Sequence, residues 1–458
     1  MNKYPLMSKL LVIGFLMVLL AIPLMMVRDV IAERSANRHD ATEEVARAHA
    51  GAQTLTGPVI WLPYTETFVR TVKVDGAIGQ TREEMVTEDR VSIQFPKTHD
   101  TRSQLDTETR LRGIFPVTVY TSQHAGTGRF VWNEITPKNR GGQITLGQPL
   151  LLMGVSDARG LLAAPQLRLA GSPLPVGQAP AGALLSLAAR LDPARLQPGA
   201  TLDFDLKLDL AGTGRIGWVP LADENSVTLT SPWPHPNFTG DFLPRTRAIS
   251  ASGFEATWRV PSLSSQAQAQ FAQTGDRPPL EQFSVALEDP VDVYRLTERA
   301  TKYAMMFIML TFAAFFVLEM VKRWRIHPMQ YLMIGAAMVL FFLLLLSLSE
   351  HLDFAWAYLI ASAACIALLA HYLRHVLGGW RAGLGMSGLL VALYGVLYGI
   401  LVSEDNALMM GSLLLFGVLA AIMVATRKID WYGAMGAQAV SDREMQQPVR
   451  PAPAQGAA

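Results

Sequence analysis

Six long, predominantly apolar stretches stand out in a chain that elsewhere mixes polar and apolar positions. From Leu10 to Val27 there is no charged residue, with Lys3 and Lys9 before the run and Arg28, Asp29, Glu33 and Arg34 after it. Crossing the hydrocarbon core of a bilayer takes about 20 apolar residues, so a first membrane helix is predicted over 10–28. Pro23 is tolerable there because packing and water satisfy the freed carbonyl. Five further spans are expected at about 303–321, 329–348, 356–372, 384–402 and 408–426.

The intervening region, 29–300, has the patterns of a folded domain. Ile31 to Ala50 is rich in Ala, Glu and Arg and free of Gly and Pro, which predicts a helix running on from the first span and ended by Gly51. Strand signals follow. Val59 to Leu62 is a short apolar run closed by Pro63, and Leu202 to Leu210 alternates without a break, the period of a half-buried strand. Phe115 to Tyr120 and Ser226 to Thr230 are shorter versions. The run Ala125-Gly126-Thr127-Gly128-Arg129 recurs as Ala211 to Arg215, which suggests either two related β-rich subdomains or a favourable turn used twice. Ala181 to Leu191 is expected to be helix-prone and to separate the two halves.

Composition and charge fix the class and the orientation. Of 458 residues, 50% are hydrophobic and 17% charged, against about 25% charged in ordinary soluble domains. A net charge of +1 gives no reason to expect a nucleic-acid partner. One cysteine, Cys365, excludes an internal disulfide and a multi-cysteine metal site. Lys322-Arg323-Trp324-Arg325, Arg374 with Arg381, and Arg427-Lys428 mark one set of loops, while Ser349 to Asp353 and Ser403 to Asn406 carry no Lys or Arg. Lys/Arg excess marks the cytoplasmic side, so residues 1–9 and the tail 427–458 are expected in the cytoplasm and 29–300 outside it. The tail lacks the apolar content to pack and is expected to be disordered. A cleaved signal peptide is the alternative for the first segment, but its apolar run exceeds the usual core and ends without a small-x-small site. A retained anchor is therefore the expectation.

Candidate chemistry is sparse. Gly154-Val155-Ser156-Asp157-Ala158 misses the nucleophile elbow at its last position. His39, His49, His99, His124 and His235 lack tight metal-ligand spacing. His371 and His375 are one helical turn apart but have no third ligand nearby. No catalytic residue, metal ligand or cofactor site is assigned. Glu319 is the acidic residue closest to a span's interior, and it is expected to reach toward Lys322 or Arg323. Ser347 and Ser349 are expected to bond helix carbonyls. The most unusual segment is Ser231 to Pro244, whose four prolines force an extended path past three aromatic rings. It reads either as a recognition surface of Trp233, His235, Phe238, Asp241 and Phe242, or as a packed crossover with its rings buried.

Several of these stretches resemble a known family. Pro232 to Pro244, Val155 to Gly160, Leu296 to Ala304, Ile326 to Leu332 and Thr426 to Tyr432 are similar, in order and spacing, to the CreD family of inner-membrane proteins. The resemblance implies a role in cell-envelope integrity and stress response, without an established catalytic residue, cofactor or substrate.

The expectation is therefore a multi-pass α-helical membrane protein of the bacterial inner membrane. It has six membrane helices, both termini cytoplasmic, and a large β-rich, sandwich-like α+β periplasmic domain between the first and second helices. Its partners are the lipid bilayer and periplasmic or inner-membrane proteins. The expected function is non-enzymatic, through contacts of the outer domain. The competing class is a transporter or lipid-handling channel formed by the C-terminal helices. A third, an envelope-modifying hydrolase, requires His235, Asp241 and Asp157 to converge.

Overall fold

The computed structural model describes residues 5–73, 81–275, 280–287, 293–322, 326–376, 380–403 and 406–427. The expected disorder of the tail beyond residue 427 lies outside them. The chain divides into two compact units, Met1–Asn37 with Val291–Ala458, and Arg38–Pro290.

The membrane unit contains six helices long and apolar enough to cross a bilayer. Helix α1 runs from Pro5 to Ala48 without a break. The others in this unit are α3 (Val293–Lys322), α4 (Pro328–Ser349), α5 (Phe354–Val376), α6 (Trp380–Val402) and α7 (Ala407–Thr426). The structure starts α3 ten residues before the expected span, because Val293 to Lys302 continues the helix as a polar extension. Helix α4 opens on a capping box, with His327 Nδ1 accepting from Met329 N and Gln330 Oε1 accepting from His327 N. Gly335 lets α1 approach α4 closely, since a Cβ there would overlap Leu20 and crowd Phe312. Phe312 and Phe315 of α3 pack edge-on against Tyr331 of α4. Helix α7 buries only Ala407.

The second unit is a two-layer β-domain. Its strands are β1 (Gln53–Lys73), β2 (Thr81–Gln94), β3 (Thr98–Arg112), β4 (Phe115–Val131), β5 (Gln143–Leu146), β6 (Leu150–Val155), β7 (Gln166–Leu169), β8 (Ser172–Leu174) and β9 (Val176–Gln178). They continue as β10 (Leu187–Arg190), β11 (Thr201–Thr213), β12 (Arg215–Val219), β13 (Glu224–Ser231), β14 (Pro236–Gly240), β15 (Thr246–Ser250), β16 (Gly253–Pro261) and β17 (Phe283–Leu287), with the short helix α2 at Ala267–Thr274. One sheet follows the order β14-β17-β12-β1-β6-β10-β9, with β2 and β5 also on β1. The other is β15-β16-β13-β3-β4-β11-β7-β8. Pairing is antiparallel except for β1 with β12 and β3 with β13.

Both sheets contribute to each interior cluster. Ile60, Leu151 and Ala189 of the first sheet meet Phe130, Phe204 and Leu208 of the second. Trp218 and Phe283 meet Trp258 in the other cluster. The far face of the first sheet is closed by α2, whose Phe271 is fully buried and lies edge-on to Phe95.

Two expectations are corrected. Ala181 to Leu191 is not helical: a turn leads into β10, which sits between β6 and β9 with Leu187, Ala188 and Ala189 buried. Burial within the sheet outweighs the helix preference of this Ala/Leu-rich stretch. Nor do the two Ala-Gly-Thr-Gly-Arg runs share a conformation. The first lies inside β4, whereas the second spans the bend from β11 to β12, where Gly214 has φ 72°. Val59 to Leu62 belongs to a much longer β1, and Pro63 falls where one side of that strand changes partners from β6 to β5. A missing N–H there costs no ladder bond.

Candidate recognition surface

The segment after β13 takes its course from its prolines. Pro232, Pro234 and Pro236 remove backbone donors and keep the chain extended. Trp233 N donates to Ser231 Oγ at 3.2 Å, and its indole Nε1 donates to His235 O at 2.9 Å, so the ring folds back along its own segment. The chain then enters β14, which pairs only with β17 and ends its sheet. Gly240 has φ 97° and no room for a side chain beside Gln282 O. Next, Asp241 N donates to Gln282 O at 2.7 Å, and Asp241 Oδ2 accepts from Gln282 N at 2.9 Å. Phe242 O accepts from Trp258 Nε1 at 3.2 Å. The chain passes from there into β15, the terminal strand of the other sheet.

The five singled-out residues separate into two groups. Trp233, Phe238 and Phe242 are half-buried and pack on the interior cluster, Phe238 lying edge-on to Phe254 at 5.9 Å and to Trp258 at 5.7 Å. His235 and Asp241 are exposed. The segment thus links the terminal strands of the two sheets, with rings turned inward and polar side chains outward. Sequence reasoning missed Leu243, 69% exposed, and Ile249, 50% exposed, on the same stretch. Ile249 also borders a groove of about 470 Å³ that runs past Pro232, Gly253 and Glu255. An unpaired strand edge beside such a groove can take an extended chain through main-chain hydrogen bonds.

The hydrolase trio does not converge. Asp157 O accepts from Gln53 Nε2 of β1 at 2.9 Å. Gln53 pairs with Ile216, Ile216 with Val285, and Val285 with Phe238. Three strand spacings, about 14 Å, therefore separate that region from β14, and His235 and Asp241 flank β14 at opposite ends.

Asp157 has a structural setting instead. Its carboxylate accepts from Arg159 Nη2 at 2.6 Å, Arg159 Nε at 2.9 Å, Gly51 N at 3.0 Å and Arg159 N at 3.1 Å. The Arg159 guanidinium, with these amides, holds the carboxyl well below the usual carboxylate range. Arg159 Nη1 also donates to Arg47 O in the last turn of α1. The end of that helix is thereby fastened to the sheet, and Gly160 permits it by leaving space against Gln53 and Ala211.

In the membrane unit, Glu319 pairs with Lys9 of α1 rather than with Lys322, and Arg323 lies outside the described residues. Tyr331 Oη donates to Glu319 Oε2 at 3.1 Å, Ile326 N donates to Oε1 at 3.2 Å, and Lys9 Nζ donates to Ile326 O at 2.9 Å. Desolvation near the membrane is met by a partner 310 residues away in sequence. A second cluster joins Arg34 to Glu350 at 3.6 Å and Tyr294 Oη to Glu350 Oε1 at 3.3 Å. Ser349 Oγ donates to Leu346 O within α4. His375 Nδ1 lies 2.9 Å from the His371 carbonyl oxygen, one turn back. Among the described residues no three His, Cys, Asp or Glu side chains gather as metal ligands.

Comparison with known proteins follows the same outline. The family model described as "Inner membrane protein CreD" matches residues 5–432. The Inner membrane protein CreD of Escherichia coli (strain K12) is 37% identical over 442 residues, covering 94% of this chain and 95% of that protein. Among solved structures, an M1 zinc metallopeptidase of Deinococcus radiodurans is 11% identical over 42% of each chain, with a TM-score of 0.20. A likeness that low carries no argument. The match along nearly the whole length, on six membrane helices and one large β-domain, makes this chain a member of the CreD family of inner membrane proteins.

Proposed function

We propose that this protein supports the cell envelope without catalysing a reaction, its β-domain facing the periplasm and contacting envelope components or partner proteins there. The observation that carries the reading is the pair of sheet-ending strands β14 and β15, joined by one short segment, with His235, Asp241, Leu243 and Ile249 presented to solvent. Trp233, Phe238 and Phe242 stiffen the edge by anchoring it to the interior, so that little conformational entropy is lost on binding. The Lys/Arg distribution among the loops supports the orientation.

The test is complementation of a deletion strain's envelope leakage. Replacement of His235 and Asp241 by alanine and of Leu243 by aspartate in the full chain, with abundance and melting temperature measured beside rescue, reads the surface directly. Lost rescue at normal abundance supports the edge as the recognition surface. Full rescue removes it. If rescue instead fails on repacking the α5–α6 contact while the β-domain stays intact, the transport reading takes precedence.

A further inference from the structure

The centre of the β-domain is unexpectedly polar. On β3 the inward positions are His99, Thr101 and Ser103, and on the facing stretch of β4 they are Ser122, His124 and Gly126. Ser103 lies directly opposite His124 in the register. Its Oγ is 2.7 Å from His124 Nδ1, and Ser122 Oγ is 2.9 Å from Nε2 while donating to Leu210 O at 3.3 Å. Since Ser122 spends its proton on that carbonyl, the pattern assigns a neutral imidazole that donates from Nε2 and accepts at Nδ1. His99 is held differently. Its Nε2 is 3.1 Å from Thr101 Oγ1, its ring lies 5.5 Å from Phe204, and glycine at 126 leaves the space that Nε2 occupies.

Between the sheets His99, Thr101, His124 and Gly126 border a cavity of about 30 Å³, lined also by Trp218. Trp218 is 4% exposed, and its Nε1–H is a buried donor with no partner. Its ring lies 6.1 Å from that of His124. A water needs roughly 10–15 Å³ and polar partners; the cavity has room for about two, and His99, Thr101 and Trp218 are polar residues of its lining. Every charged side chain flanking the histidines on β3, β4 and β11, including Asp100, Arg102, Lys207 and Asp209, alternates to the opposite, exposed face. The lining contributed by β1, β6, β12, β13 and β17 is uncharged.

We propose that this interior is a hydrated, acid-sensitive site. Ordered water held by Trp218 Nε1 fills the cavity, and His99 and His124 accept protons as the surroundings become acidic. The two closed sheets offer an imidazolium hydroxyls but no carboxylate, so protonation favours the loosened packing over the closed one. Burial pushes the ordinary histidine value down to about 4 for His99 and about 3 for His124, so uptake accompanies opening of the core rather than preceding it. The β-domain is thereby acid-responsive through two defined residues. Their titration is a property of the purified chain, so its test stands apart from the proposed orientation and function.

The experiment is histidine C2-hydrogen exchange of the full chain in detergent, read by mass spectrometry against pH. His99 and His124 are expected to exchange slowly and to titrate below pH 5. Titration of both near the ordinary value of about 6.5 overturns the proposal. In parallel, the acid transition followed by tryptophan fluorescence should move down by about one pH unit in His99→Gln/His124→Gln. An unchanged midpoint also overturns it, and if the double variant does not fold, the exchange profile of the native chain decides. For the water, magnetisation transfer from solvent to the Trp218 indole proton, assigned with Trp218→Phe, is expected; its absence leaves the cavity dry and the hydrated site refuted.

Discussion

Phe238→Ala distinguishes a ring that stiffens an edge from one that meets a partner. Phe238 sits in β14 with its ring edge-on to Phe254 and Trp258, and it is half-buried. Truncating a fully buried Phe costs about 3–5 kcal/mol, so half burial accounts for roughly 2 kcal/mol. The lost edge-to-face pairs add about 0.5–1.5 kcal/mol each in comparable cases. A total near 3 kcal/mol is expected, and for a domain of this size each kcal/mol lowers Tm by about 2–4 °C. The full chain in detergent should therefore show the β-domain melting about 6–12 °C lower, with reduced abundance in cells. His235→Ala, at an exposed side chain whose carbonyl alone is used by Trp233, should stay within about 0.5 kcal/mol. The reasoning fails if Phe238→Ala melts like the native chain yet abolishes rescue, because the ring would then belong to a contact outside the protein.

Asp157→Ala should cost about 2–4 kcal/mol, since it removes a charge-assisted pair and strands Gly51 N; differential scanning fluorimetry of the full chain reads it. Because the folded carboxyl of Asp157 is depressed, its contribution is present above the ordinary carboxylate value of about 4 and lost as pH falls below it; Asp157→Asn should flatten that part of the pH–stability curve. Glu319→Ala should destabilise the membrane unit by about 3 kcal/mol by leaving Lys9 unpaired, and Lys9→Met with Glu319→Leu should recover most of it in a thermal aggregation assay. Gly335→Leu, which drives a side chain into Leu20, should cost about 1–3 kcal/mol in the same assay.

Where burial imposes a period, the sequence is readable. Leu202 to Leu210 alternates because one face of β11 lines the interior, and the six apolar runs are long because lipid disfavours charge, Glu319 near the end of one being met by Lys9. The failures have a common cause in contacts distant along the chain. Ala181 to Leu191 has helix-forming composition, but β6 and β9 claim it as a strand. β2 reads as Thr-Arg-Glu-Glu-Met-Val-Thr-Glu-Asp-Arg and gives little strand signal, because most of it is exposed and its conformation comes from pairing along β1. Lys9 as the partner of Glu319 leaves no local trace. His99 and His124 resemble surface polar residues until the register turns them inward beside Trp218. In the Ser231 to Pro244 segment, prolines and aromatics announced an unusual path, but the inward turn of the rings depends on Phe254 and Trp258.

The parallel pairing of β1 with β12 has a consequence for how the molecule is made. Gln53 must wait for Ile216, and β12 in turn is flanked by β17, whose last residue, Leu287, shortly precedes α3. An emerging chain thus carries the first four residues of its longest strand, Gln53 to Thr56, without their β12 partners through most of the synthesis of the domain. Closure depends on contacts of high sequence separation, which form slowly and leave strand edges open to association. The sheet acquires its last internal strand almost as the second membrane segment leaves the ribosome. Insertion of that segment and closure of the sheet are therefore consecutive events, and a delay in closure extends the time for which the start of β1 is exposed.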